Sequence, residues 1–122
     1  MITIDGYTIT IPRGDTGAFR GKIPAENDGG IYQYTENDRV IFTVRNGSGI
    51  IKQDVCEIEE GNYFTIYFVK NDTYNVTPGA CQWDIAVYIN PYTDEQGRIV
   101  NADQITTPIQ MQTLNILPIA RD

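Results

Sequence analysis

The chain has 122 residues, 41% hydrophobic and 20% charged, with a formal net charge of −7. That balance predicts one globular domain over residues 1–122, long enough for a real core and too apolar to be disordered. The nine basic residues are scattered rather than gathered into a stripe, which argues against nucleic acid as a direct partner, and the acidic balance disfavours anionic membranes.

In chain order, Ile2-Thr3-Ile4 and Tyr7-Thr8-Ile9-Thr10-Ile11 flank Asp5-Gly6. An Asp-Gly pair between alternating β-formers predicts a hairpin with a type I′ turn, which needs positive φ at both positions. Ile9 and Ile11 share a face. Pro12 ends the run, and Arg13-Gly14-Asp15-Thr16-Gly17 reads as a tight turn. Its Arg-Gly-Asp triplet is one that integrins recognise on flexible loops, but Gly-Asp is ordinary turn chemistry, with the Asp15 side chain expected to bond a nearby backbone N–H.

Ala18 to Ile23 reads as a weaker strand, Pro24 to Gly30 as a loop, and Ile31 to Tyr34 as a short edge segment. Arg39 to Arg45 follows, with Val40, Phe42 and Val44 as its buried set. Asn46-Gly47-Ser48-Gly49 is a hairpin turn. In Ile50 to Ile58 the apolar residues change phase, which predicts a bulge. Tyr63 to Val69 has Phe64, Ile66 and Phe68 on one face and Tyr63, Thr65, Tyr67 and Val69 on the other. Asn71 to Gly79 is a polar connector with room for one helical turn.

Cys81 to Asn90 carries the clearest signal. Cys81, Trp83, Ile85, Val87 and Ile89 alternate with Gln82, Asp84, Ala86, Tyr88 and Asn90, so one face is apolar and the other mostly polar. Pro78-Gly79 opens this strand and Asn90-Pro91 is expected to close it. Asp84 is expected to pair with Lys or Arg on a neighbouring strand. Tyr92 to Gly97 reads as a loop, residues 98–100 and 104–105 as short pieces, and Ile109 to Ile119 as a last long strand. Short strands punctuated by turns, with no helical period, predict an all-β fold. The expected form is an antiparallel two-sheet β-sandwich, immunoglobulin-like or jelly-roll-like.

The chain has no histidine, which removes the Ser-His-Asp and Cys-His arrangements and the commonest metal ligand. Cys56 and Cys81 are too few for a structural zinc site. They read as small buried hydrophobes, with a Cys56–Cys81 disulfide as the alternative. The start, Met1-Ile2-Thr3-Ile4-Asp5-Gly6, has no basic segment and no apolar signal core, so a cytoplasmic origin is expected.

Glu57, Glu59 and Glu60 cluster and Asp94-Glu95 lie on a loop, but no spacing singles out the facing pair a glycosidase needs. Asp28, Asp38, Asp72, Asp94 and Asp103 lack the one-three-five spacing of an EF-hand calcium loop. No catalytic, cofactor or metal residue is assigned, and a non-enzyme is expected. The eight tyrosines are more suggestive, because an apolar ring with a wet hydroxyl suits an interface or a sugar platform. The candidate interface residues are Tyr63, Tyr67 and Tyr88.

Three segments are familiar in combination: Ile9-Thr10-Ile11-Pro12-Arg13-Gly14-Asp15-Thr16, Asp38-Arg39-Val40-Ile41-Phe42-Thr43-Val44-Arg45, and Gly79-Ala80-Cys81-Gln82-Trp83-Asp84-Ile85. In that order they resemble the small β-sandwich domains encoded by phages and prophages of Gram-positive bacteria, such as the N-terminal domain of phage baseplate upper proteins. The resemblance spans roughly two-thirds of the chain. It implies a virion component made in the bacterial cytoplasm, acting as a non-enzymatic tail or baseplate module. Its partners would be other phage structural proteins or, as a homo-oligomer, further copies of itself. Upper proteins continue into a helical linker and a receptor-side module, whereas this sequence is expected to end in a strand at Ile119-Ala120-Arg121-Asp122, so trimerisation through such a linker is not carried over as an expectation. The alternative is a carbohydrate- or cell-surface-binding module using the tyrosines.

Overall fold

The computed structural model describes residues 1–23, 37–47 and 49–118. Among these residues, eight strands carry the fold: β1 (Thr3–Asp5), β2 (Thr8–Pro12), β3 (Gly17–Lys22), β4 (Arg39–Asn46), β5 (Gly49–Glu57), β6 (Tyr63–Phe68), β7 (Gly79–Thr93) and β8 (Ile99–Leu117). One helical turn, α1 (Lys70–Thr73), follows β6, where a turn was expected. The protein is all-β, in a six-stranded sheet of order β1-β2-β8-β7-β4-β5 and a two-stranded sheet of β3 and β6. The expectation of wholly antiparallel pairing fails at one place: β2 runs parallel to β8, Ile9 beside Leu114 and Ile11 beside Ile116. The predicted loop at 24–30 and edge segment at 31–34 lie outside the described residues.

The first hairpin forms, but Asp5 pairs with Thr8, so the loop is Gly6-Tyr7 rather than Asp5-Gly6. Gly6 has φ +61 while Tyr7 is not in the positive region. Positive φ at the first central residue alone is the pattern of a type II′ turn, not type I′. This register puts Ile9 and Ile11 in the core. At the next turn Asp15 N–H donates to the Pro12 carbonyl at 3.0 Å, and Gly14 takes φ +82.

The core faces of the strands fall largely where alternation puts them. Val40, Phe42 and Val44 from β4, Cys81, Trp83, Ile85 and Val87 from β7, and Phe64, Ile66 and Phe68 from β6 are all buried. The small sheet meets the large one through aromatic rings. Phe19 of β3 lies edge-on to Phe42 at 5.7 Å and to Trp83 at 6.4 Å, and Phe68 lies edge-on to Phe42 at 6.0 Å. Such edge-to-face pairs add to the burial of the rings themselves. The Trp83 Nε1–H is satisfied by the carbonyls of Tyr7 at 3.0 Å and Thr113 at 3.2 Å, which ties β7 to the first hairpin and to β8. Gly21 faces Phe64 across the small sheet. A Cβ there would sit 2.5 Å from the Phe64 ring, so only glycine admits the ring.

The bulge expected in residues 50–58 lies at Ile51. Val44 pairs with Lys52 and Arg45 with Ile50, leaving Ile51 as the extra residue. Beyond it β5 turns Lys52 and Asp54 to the side of Val44 and Phe42. The Lys52 side chain is only 6% exposed, with its Nζ 2.8 Å from Asp72 and 3.0 Å from Asp54 and lying over the Phe68 ring. Asp72 also accepts from the Val69 N–H at 2.8 Å, so one carboxylate both closes the helical turn and neutralises the lysine.

Two expectations about the C-terminal third are corrected. Asn90-Pro91 does not close its strand: β7 runs to Thr93, with Asn90 at φ +49. The short pieces at 98–100 and 104–105 and the strand from 109 are one 19-residue strand, β8. Turn residues are absorbed as irregularities. The β7–β8 register shifts at three places, each leaving an extra residue on β8, and Pro108 sits in one of these gaps. Asn90 is held from two sides: its N–H donates to buried Asp38 at 2.9 Å, and its Nδ2 donates to Asp103 at 2.7 Å.

Two substitutions test this account. Lys52→Met should lower unfolding stability by about 3 kcal/mol, the lower end of the range for stripping one partner from a buried pair, because Asp54 and Asp72 keep some contact with solvent. Asn90→Val should cost about 1–3 kcal/mol, since a β-branched residue resists positive φ. Asn90→Gly should recover most of the backbone part. Urea unfolding of each variant measures these differences.

Candidate functional site

The outer face of the small sheet follows from its pairing. Phe19 and Gly21 point inward on β3, so Ala18, Arg20 and Lys22 point outward. Phe64, Ile66 and Phe68 point inward on β6, so Tyr63, Thr65 and Tyr67 point outward. In register, Ala18 faces Tyr67, Arg20 faces Thr65 and Lys22 faces Tyr63. The result is a compact face of two tyrosines and two cations on a protein of net charge −7.

Its two tyrosines are held differently. The Arg20 guanidinium lies 4.0 Å from the centre of the Tyr63 ring, and the Lys22 ammonium lies 5.6 Å from it. A Cβ at Gly61 would come within 3.1 Å of the same ring, so the backbone passes close beside it. Tyr63 is therefore half-buried and fixed. Tyr67 is 65% exposed. Glu59 completes the face, 3.5 Å from Arg20 and accepting from the Thr65 hydroxyl at 2.8 Å. An Arg–Tyr pair already in place has little rotamer freedom left to lose on binding.

Tyr88, the third candidate, is not part of this face. It lies on β7 opposite Arg39 and Ile105, on the side of the large sheet away from Trp83, Ile85 and Val87. The core separates it from Tyr63 and Tyr67. Arg20 and Lys22 were not singled out in the sequence. Their link to Tyr63 depends on β3 pairing with β6 some forty residues later, and nothing local in the chain announces it.

The remaining candidates have structural duties. The Arg13-Gly14-Asp15 turn is pinned: Arg13 N–H donates to the Leu117 carbonyl, Gly14 N–H to the Thr73 hydroxyl at 2.8 Å, and Asp15 accepts from the Met1 amino group rather than from the expected nearby backbone N–H. Asp84 pairs with Arg45 at 2.6 Å, as expected of a cross-strand carboxylate. Asp94 folds its own turn, accepting from the Gln96 and Arg98 N–H groups. Asp103 accepts from Asn90 and from the Tyr92 hydroxyl, which holds its carboxyl below the usual range and pushes the Tyr92 phenol up. Among the described residues, no three His, Cys, Asp or Glu side chains are grouped to hold a metal ion. Among the same residues, no helix is long and apolar enough to cross a membrane.

Both cysteines are free thiols. Burial is the main cause that pushes the Cys56 thiol up to about 11, with Asp54 adding to it; burial also raises Cys81. Alkylation at neutral pH should therefore be slow in the folded protein and fast once it is unfolded. The folded state keeps the Cys56 proton to higher pH than the unfolded chain does. Stability carried by that proton is present below the ordinary thiol value of 9.0 and is lost as pH rises towards about 11. Cys56→Ala should flatten this alkaline decline in thermal melts between those values. No protein-family model matches the chain, and no curated protein matches it.

Proposed function

We propose that the protein is a non-enzymatic assembly module of a phage or prophage tail or baseplate, working through protein–protein contacts. Its two sheets would form a sandwich of the immunoglobulin-like or jelly-roll-like kind. The observation that carries this reading is the Tyr63–Arg20 pair beside exposed Tyr67. Tyrosine and arginine are the residues that most often anchor protein interfaces, and here they stand on a sheet whose other side is locked into the core. The resemblance of residues 9–16, 38–45 and 79–85 to baseplate upper proteins supplies the setting, a virion component made in the bacterial cytoplasm.

The alternative, a carbohydrate- or cell-surface-binding module, is less well served by the same face. Sugar stacking needs an open ring face, and the Arg20 guanidinium already covers one face of Tyr63. Tyr67 alone offers an open ring, less than the paired platform a glycan would use.

The test is to mix the purified chain with the structural proteins encoded beside its gene and follow complex formation by size-exclusion chromatography. The reading expects a complex that Arg20→Ser with Tyr67→Ser weakens by about tenfold or more, the scale of losing an interface anchor, while the melting temperature of the free chain barely moves. No complex with any of them, together with a glycan-array signal that Tyr67→Ser abolishes, would replace it by the alternative.

A further inference from the structure

The two edges of the small sheet are unequal. The β6 edge is taken. Glu59 N–H donates to the Tyr63 carbonyl at 2.7 Å, Tyr63 N–H donates back at 3.3 Å, and the Cys56 thiol donates to the Thr65 carbonyl at 3.5 Å. The backbone groups of Tyr63 and Thr65 therefore point away from β3. Their partners across the ladder, Lys22 and Arg20, sit in non-hydrogen-bonded pairs and turn their own N–H and C=O groups away from β6. One residue on, the Ile23 N–H donates to the Asn62 carbonyl at 2.9 Å, as the alternation requires. Ala18 is outward by the same alternation, because the β3–β6 register is unbroken from Gly17 to Lys22. Among the described residues no strand pairs with β3 on that side. A Cβ at Gly17 would meet Ile2 at 3.0 Å, so the open stretch runs from Ala18 to Lys22.

Side chains along this edge alternate in kind. Arg20 and Lys22 are exposed on the outer face, and Phe19 points inward yet is only partly buried. Edge cations guard a strand against indiscriminate addition. A two-fold pairing of two copies centred anywhere from Arg20 to Lys22 sets cation against cation, which disfavours self-pairing. An acidic strand meets the opposite situation. Arg20 shares Glu59 at 3.5 Å, but Lys22 forms no ion pair among the described residues. Elsewhere a chain of net charge −7 repels such a strand, so the two cations select this edge.

We propose that β3 accepts an extended acidic segment of the partner protein as an added strand. Its acidic side chains lie on the outer face against Lys22 and Arg20, and its apolar ones turn inward over Phe19. Backbone bonds to Ala18, Arg20 and Lys22 supply affinity, and the alternate side chains supply specificity. The proposal rests on this face being the protein's assembly surface, and it names the chemistry of the partner that surface takes.

Amide exchange followed by NMR tests it, with two short capped peptides as probes, one alternating valine with glutamate and the other valine with lysine. The Ala18, Arg20 and Lys22 amides should exchange fast in the free chain and slowly with the glutamate peptide, and the lysine peptide should leave them fast. Ala18→Pro removes an N–H that β6 does not use and blocks the edge. Lys22→Glu turns attraction into repulsion. Each should weaken glutamate-peptide binding about tenfold. Should Ala18→Pro fail to fold, the glutamate peptide N-methylated at its glutamates replaces it and should not bind. No protection of the three amides, equal binding of the lysine peptide, or undiminished binding to folded Ala18→Pro or by the N-methylated peptide would overturn the proposal. The assembly reading fails separately. A complex with the neighbouring structural proteins that Ala18→Pro leaves intact keeps that reading and overturns strand addition. Glutamate-peptide binding without any such complex supports strand addition and removes the assembly role.

Discussion

A two-stranded sheet does not stand by itself in water, so β3 and β6 depend on the ring contacts beneath them. Phe19 reaches Phe42 and Trp83 of the large sheet, and Phe68 reaches Phe42. Everything on the outer face of the small sheet inherits its rigidity from that junction. The Arg20–Tyr63 stack can hold one geometry because Phe64, on the next residue of the same strand, is locked over Gly21. The core and the candidate interaction surface are thus two sides of one six-residue strand.

Much of the fold was legible because alternation is a local signal. Trp83, Ile85 and Val87, or Phe64, Ile66 and Phe68, face the core in the structure as they do in the pattern. The signals that misled were also local. Asn90-Pro91 has turn chemistry, yet in the fold it serves as a kink within a 15-residue strand, because Asp38 and Asp103 hold Asn90 in place from other elements. The many short pieces expected after residue 97 are one strand whose irregularities, Pro108 among them, are taken up as register shifts against β7. The parallel pairing of β2 with β8 joins residues about a hundred positions apart, and no pattern in either segment encodes it. The site was half legible. Tyr63 and Tyr67 could be read as an outward pair from β6 alone, but their cations come from β3, and Tyr88 separates from them only once the sheets are placed.

Lys52 shows how charge can be spent inside a small fold. It stands on the core side of an edge strand, closed in by Asp54, Asp72 and the Phe68 ring. Such a buried ion pair adds little net stability, because desolvation offsets most of the attraction. Its effect is on which partners β5 accepts: a strand arriving at that edge would meet a bulge and an inward-turned charge. The large sheet is therefore closed to strand addition at its β5 edge.

The parallel β2–β8 pair also determines how the protein would bear load. Tension entering through the N-terminal strand and leaving beyond β8 first unzips β1 from β2, one pair at a time. At Thr8 the geometry changes. The pull then runs along two parallel neighbours in opposite directions, and the bonds between Ile9 and Leu114 through Pro12 and Leu117 are strained together in shear. A short run of pairings loaded at once yields later than a longer one peeled in sequence. The least expected pairing in the sheet is thus its mechanical clamp.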